Sequence, residues 1–425
     1  MSLNVKFLVI CVIFNFISTI KLHSQSIKVS TFGFQDPTTA LHRALLSKKD
    51  TIIIDYQTKP WLIGPMIFKN IKNKVIILEK GVELKAKNGA FKNSNDALLM
   101  FLYCQNIKIL GNGGQISMNK EEYREGEWRH GISLRASENI VVKDLTVRDT
   151  GGDGIYIAGA KDKLYSENII INNIKSLNNK RQGITIISAK GVLIENSLFA
   201  ETKGIQPAAG IDIEPNNKHN IVSDIRIINC VIRDNFGPGI VIGLRKLEKE
   251  SAKISILVEN CIISSNHSLD NPKAGAEIIF GANKESPVTG IVIFRECLIK
   301  NSNWGVVYSR KRSDAYTVLF DNCMVRSLSA NGKSPAIYLE VPDYYKEFGA
   351  LGGYHFNNFY IENMQSVPFV IIRGSKLGTL KKIENITGNV TILGIQNNLF
   401  EYINYNSAAN VNINLNAIYK VDLEQ

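Results

Sequence analysis

The chain contains no Cys-x-x-Cys pair and no cluster among its six histidines, so the usual sequence frames for a transition-metal site are missing. Beyond residue 20 no apolar run approaches the roughly 20 residues that cross a bilayer as a helix. Its basic residues are not interleaved with an aromatic platform, which argues against nucleic acid as a partner. Acidic residues are in deficit, since 50 Lys and Arg stand against 39 Asp and Glu, a formal net charge of +11. That surplus favours an anionic partner, first of all an acidic polysaccharide; lysines scattered for solubility over a large surface would give the same sum.

The first residues stand apart. Lys6 precedes the apolar run Phe7 to Ile20, which is short for a span, and the polar stretch His23-Ser-Gln-Ser26 follows. This order predicts a signal peptide over residues 1–25, cut near Ser24, and a secreted or periplasmic protein. A lipid anchor at Cys11 is disfavoured by Ile10, larger than the residue such processing sites prefer. Loss of the segment removes Lys6 and Lys21 (11 − 2 = +9) and leaves five cysteines. Four of these, Cys230, Cys261, Cys297 and Cys323, recur at one position on apolar strands. Buried free thiols are expected there in preference to disulfides, although an exported compartment would permit either.

The dominant signal is a repeat. A glycine followed by an apolar alternating strand returns at Gly131-Ile-Ser-Leu134, Gly154-Ile-Tyr-Ile157, Gly183-Ile-Thr-Ile186, Gly210-Ile-Asp-Ile213, Gly239-Ile-Val-Ile242 and Gly305-Val-Val-Tyr308, with Gly275-Ala-Glu-Ile278 a looser match. These glycines lie 23, 29, 27, 29, 36 and 30 residues apart, the periodicity of a solenoid. A second strand follows each and ends at Asp144, Asn173, Asn196, Asn229, Asn260 or Asn322, with Glu296 in the remaining place. Asn and Asp tolerate left-handed backbone, so this column predicts one corner repeated in every coil.

The opening strands add a resemblance. A short helical pattern at Thr38 to Leu46 precedes Trp61-Leu-Ile-Gly-Pro65, Ile67-Phe-Lys-Asn70, Val75-Ile-Ile-Leu-Glu79, Gly81-Val-Glu-Leu84 and Ile109-Leu-Gly-Asn-Gly113. That order resembles the pectin-lyase-like superfamily, and is similar in particular to polygalacturonase-type glycoside hydrolases. The resemblance implies an all-β fold, a right-handed parallel β-helix with a short N-terminal capping helix. One domain over 26–425 is expected, with a cap at 26–50, coils at 51–397 and a C-terminal closure at 398–425.

Aligned on the glycines, one outward column reads Ser133, Tyr156, Thr185, Asp212, Val241 and Glu277, and the residues before the glycines include His130, Asp153, Gln182 and Trp304. Gly210-Ile-Asp-Ile-Glu-Pro215 puts Asp212 and Glu214 two residues apart on one face, about 6.6 Å between α-carbons. Glycosidic hydrolysis needs a proton-donating carboxyl and an ionised one roughly 5 to 9.5 Å apart. Thr150-Gly-Gly-Asp-Gly154 resembles the polygalacturonase Asn-Thr-Asp-Gly segment, which implies a catalytic role for Asp153. Arg181-Gln-Gly183 stands where that family has paired aspartates, Gly237-Pro-Gly239 lacks the family histidine, and no Arg-Ile-Lys occurs.

The expected centre is therefore Asp212, Glu214 and Asp153, with Tyr156, Arg181, His130, Lys203, Glu277 and Trp304 binding substrate. Trp128 and Trp304 offer aromatic faces for sugar stacking. His219 and His267 fall in loops and are expected to be exposed. A uronate lyase or C5-epimerase is the alternative, since Tyr156, Arg181, Lys203 and His130 supply the base, acid and cation such chemistry uses. No cofactor is expected for a hydrolase; a lyase of this architecture would call on calcium, for which Asp153, Asp212 and Glu277 are the available oxygens. A non-catalytic glycan binder would carry the same repeat.

Overall fold

Strands that recur at similar spacing can bury their apolar faces only against the next copy of themselves, and the chain does this along its length. The computed structural model describes residues 25–273, 275–363, 366–395 and 398–420. The expected signal segment, apart from Gln25, lies outside the described residues. Two sheets of 21 and 12 strands run along the coils, and the pairing between successive coils is parallel. Like stacks on like in the interior: Ile132 pairs with Ile155, then come Ile184, Ile211, Ile240, Ile278 and Val307, one per coil. All are buried.

At the N-terminal end the expected helix is present as α1 (Pro37–Leu46). Asp36 caps it, accepting from the backbone N–H groups of Thr38 at 3.1 Å and Thr39 at 3.3 Å, and Pro37 takes a first-turn position whose N–H would be unpaired in any case. Ala40, Leu41, Ala44 and Leu45 form its buried face. No helix among the described residues is long and apolar enough to cross a membrane.

The corner column adopts the expected conformation. Asp144, Asn173, Asn196, Asn229, Asn260, Glu296 and Asn322 all have φ between 50° and 55°. Their side chains form a ladder, with Asn173 Nδ2 donating to Asp144 Oδ1 at 2.6 Å and Asn260 Nδ2 to Asn229 Oδ1 at 2.8 Å. A second ladder, through Asn73, Asn106, Asn139 and Asn168, turns the opposite end of the same strands. The five described cysteines are buried and free. Hydrogen bonding to the neighbouring thiol, ahead of burial, pushes Cys261 and Cys297 up to about 12, which keeps them inert.

The glycine column has a packing cause. A Cβ on Gly210 would lie 2.5 Å from Ile232 Cγ2, and one on Gly131 would lie 2.5 Å from Val147 Cγ1. The column breaks where the spacing is longest. Ile240 pairs with Ile278, so Glu277, not Gly275, takes the glycine row. Gly275 falls two places earlier, where a Cβ would strike the His267 ring. At the C-terminal end, Phe400–Ile403 and Asn410–Lys420 add another rung to the two sheets, where a closure was expected. Their apolar side chains can pair with the preceding coil because the strand alternation continues through the Asn-rich tail.

Candidate functional site: an acid cluster around one arginine

The outer face of the 12-stranded sheet carries Ser133, Tyr156, Thr185, Asp212 and Val241 in one pairing row. These positions were expected to face water, but Asp212, Thr185 and Ser133 are 0% exposed, as is Asp153. Gln182, on the preceding coil, helps to cover Asp212. Gln182 Nε2 donates to Asp212 Oδ2 at 2.9 Å, while Gln182 Oε1 accepts from the Ala209 N–H at 2.9 Å, so the amide is pinned at both ends. Arg181 lies between the acids: its guanidinium is 3.6 Å from Asp153, 3.8 Å from Glu214 and 3.2 Å from Glu127.

Burial sets the protonation of this group. It pushes Asp153 up to about 7 against the opposing pull of Arg181. It holds Asp212 well above the usual carboxylate range, and the negative charge of Glu214 adds to the effect. For Arg181 burial acts downward, yet Asp153, Asp212, Glu127 and Glu214 together raise it. Burial, with Arg135 and Arg181 nearby, drives His130 down to about 3, so the ring is neutral and its Nδ1 accepts from the Asp153 N–H at 3.1 Å. Among the described residues no hydrogen bond of good geometry reaches either Asp153 oxygen, Asp212 Oδ1, Thr185 Oγ1 or His130 Nε2. Buried polar atoms without partners are costly, and so many gathered at one place make this cluster the candidate site.

A groove of about 540 Å³ opens beside the cluster, with Glu127, Arg181 and Glu214 at one side and Arg245, Lys246 and Lys273 along the rest. Glu127 and Glu214 are 54% and 43% exposed and are the carboxylates a ligand in the groove can touch. Both contact the same guanidinium, so their contacting oxygens lie no more than about 9.5 Å apart, a limit that admits the separations glycosidases use.

The structure brings together Asp153, Asp212, Glu214, Arg181, His130 and Tyr156. Tyr156 is half-buried, stacked on His130 with centroids 4.4 Å apart and faced by Arg135 at 5.1 Å. Lys203 is exposed over the Phe236 ring at 5.5 Å, away from Asp212. Glu277 is not on the outer wall. It points inward from the glycine row, accepting from Asn266 N at 3.1 Å and Asn266 Nδ2 at 2.7 Å, so it can neither bind substrate nor complete a calcium set with Asp153 and Asp212. The register slip caused that misplacement. Trp304 is half-buried further along the face, edge-on to His267 at 5.9 Å. His267, expected in solvent, is 2% exposed, whereas His219 is exposed. Trp128 is 44% exposed. Glu127 was missed because it lies in a loop outside the repeat; Gly126 before it, at φ 85°, and Arg129 after it, at φ 77°, mark a constrained turn.

Residues 105–325 match the family described as right handed beta helix region. The uncharacterized protein YclG of Bacillus subtilis is 28% identical over 207 residues, 45% of this chain, and the chain spans only 32% of that relative's length. The surface adhesin PfbA of Streptococcus pneumoniae superposes with a TM-score of 0.59 at 14% identity, covering 94% of this chain and 93% of PfbA. An exopolygalacturonase from Thermotoga maritima gives 0.55 at 14% identity, over 82% of this chain and 90% of its own. An adhesin and a hydrolase thus share the architecture, and at such identities the likeness is one of fold. With parallel coils throughout and the match covering more than half of its length, the chain belongs to the right-handed β-helix family and has the pectin-lyase-like fold.

Proposed function

We propose that this protein hydrolyses glycosidic bonds of a polysaccharide, preferentially one bearing carboxylates, at the groove headed by Glu127, Arg181 and Glu214. The observation that carries the reading is the acid cluster itself: four carboxyls around one guanidinium, two buried and two open to a cation-lined groove. Hydrolysis uses one carboxyl to protonate the leaving oxygen and one carboxylate to act on the anomeric carbon or its water. Glu214 and Glu127 are the groups that reach a bound sugar. Asp153 is a positioning residue beneath them, 3.6 Å from the Arg181 guanidinium, and Asp212 adds to the negative charge that Arg181 sees. Arg245, Lys246 and Lys273 would neutralise uronate carboxylates on either side of the scissile bond.

The test is incubation of the purified protein with polygalacturonate, alginate and a neutral glucan, recording new reducing ends together with ultraviolet absorbance from unsaturated sugars. Reducing ends without absorbance are expected, and Glu214→Gln and Glu127→Gln should each lower their rate at least about 100-fold. Intact turnover in both variants would sink the assignment. Absorbance would instead support a uronate lyase, a reading favoured by the neutral His130 stacked on Tyr156 beside Arg135. Neither signal would leave an epimerase or a glycan binder, and the complete burial of Asp153 and Asp212 favours the binder. Export follows from the Lys6-led apolar run to Ile20 as part of the same proposal. Its check is the N-terminal mass of protein recovered outside cells that express the full chain.

A further inference from the structure

Along the outward row that contains Asp212, successive coils place Val241, Ile279, Tyr308 and Tyr338, so the face turns from aliphatic to aromatic three rungs beyond the acid cluster. Tyr308 and Tyr338 stack with centroids 5.8 Å apart and planes 8° from parallel. Together with Trp304, Lys333 and Glu340 they wall a separate cavity of about 240 Å³. Polar groups stand behind the rings. Tyr308 donates its hydroxyl proton to Glu340 at 2.9 Å, and Arg310 Nη2 reaches the same carboxylate at 3.0 Å. Among the described residues the buried Trp304 Nε1 and Arg310 Nε have no acceptor.

Nothing about interior packing requires this arrangement, since the side chains lie on the outer row and the cysteine and phenylalanine columns fill the inside. A buried indole N–H with no acceptor is a standing cost that a ligand oxygen would remove. The half-buried Trp304 and Tyr338 rings suit the apolar face of a pyranose, with the buried Tyr308 stacked on Tyr338 as support. Of the unpaired groups, the Trp304 N–H belongs to the cavity wall and is a donor, joined there by the ammonium of Lys333, so the matching ligand is rich in acceptors. We infer that the cavity between Trp304 and Tyr338 is a second subsite that holds one ring of an acidic oligosaccharide, about 14 Å along the face from Asp212. A single sugar could not bridge that span; a bound chain would. The inference rests on the proposal that the ligand is a saccharide, but it does not require cleavage.

The test separates the two. The chain has three tryptophans, Trp61 is 2% exposed and Trp128 can be replaced, so a Trp128→Phe protein reports ligand at Trp304 by its fluorescence. Titration with polygalacturonate and alginate oligomers, with a neutral dextran as control, should give saturable quenching by at least one polyuronate and none by dextran. Tyr338→Ala and Lys333→Ala should each weaken the apparent Kd about tenfold, and Tyr338→Phe should preserve it. Absence of quenching by every glycan, or quenching indifferent to Tyr338→Ala and Lys333→Ala, overturns the subsite. Quenching without reducing ends would retain the subsite and remove the hydrolase reading; reducing ends without quenching would do the reverse.

Discussion

Glu277 and Asp153, two of the buried carboxyls, have raised pKa values for the same reason and differ in what surrounds them. Glu277 is pushed up to about 8 by burial but is satisfied by Asn266, so it belongs to the interior. Asp153 is pushed up to about 7 and is approached at longer range, by Arg181 at 3.6 Å and His130 at 3.5 Å, so it lies buried beneath the residues that line the groove. A folded-state value above the ordinary 3.8 means that the native state holds its proton more tightly than the unfolded chain. Its contribution is therefore neutral below pH 4 and erodes stability as pH climbs to 7, by up to about 4 kcal/mol. Asp153→Asn abolishes that slope, so its melting temperature should gain on the parent's steadily between pH 4 and pH 8. Calorimetry across that range checks it; parallel curves would show that Asp153 is not the titrating group. Asp153, Asp212 and Glu214 could be found from the sequence because they sit on or beside glycine-led strands. Glu127 could not, because a loop residue acquires its neighbour only when the coils close.

The rung is the element that sequence periodicity describes best. Its corner could be read at every Asn, since left-handed backbone costs most L residues roughly 1–2 kcal/mol and Asn much less. Its glycine could be counted but not explained. The reason lies across the coil, in Ile232 for Gly210 and in Val147 for Gly131. Gly210→Ala should therefore destabilise by about 1–3 kcal/mol through overpacking alone. Ile232→Leu, which removes the β-methyl that the new Cβ would strike, should cost less singly and return part of the loss in the double variant. A coupling of at least about 0.5 kcal/mol in a urea-denaturation cycle is expected. Strict additivity would place the glycine requirement elsewhere, for instance in the Gly239 carbonyl that is also close. Where a long loop intervened, the glycine guide was out by two residues, so Glu277 falls in the glycine row, held by Asn266, and not in the outward row of Asp212.

At the scale of the molecule, parallel stacking was visible in the sequence because one repeat unit recurs through the chain, while the site was visible only in part because it is assembled from three successive coils and a loop. The net charge of +11 is spread over a long surface, with Arg245, Lys246 and Lys273 concentrated in the groove. Binding of polyuronate should weaken steeply between 50 and 500 mM NaCl, conditions that bracket a Debye length of about 10 Å at 0.1 M, with dextran retention unchanged. Affinity electrophoresis at graded salt measures it, and salt-independent retention would exclude a charge-driven partner. The ladder of paired strands has one more consequence. Each coil is hydrogen-bonded to the next through two sheets, so the face is preorganised and has little conformational freedom left to surrender. A flexible polymer laid along it must give up its own freedom almost alone, about 1–2 kcal/mol for each unit ordered if it behaves like a peptide backbone. Such a surface discriminates by the stiffness of what it binds, and chains already extended in solution have the advantage.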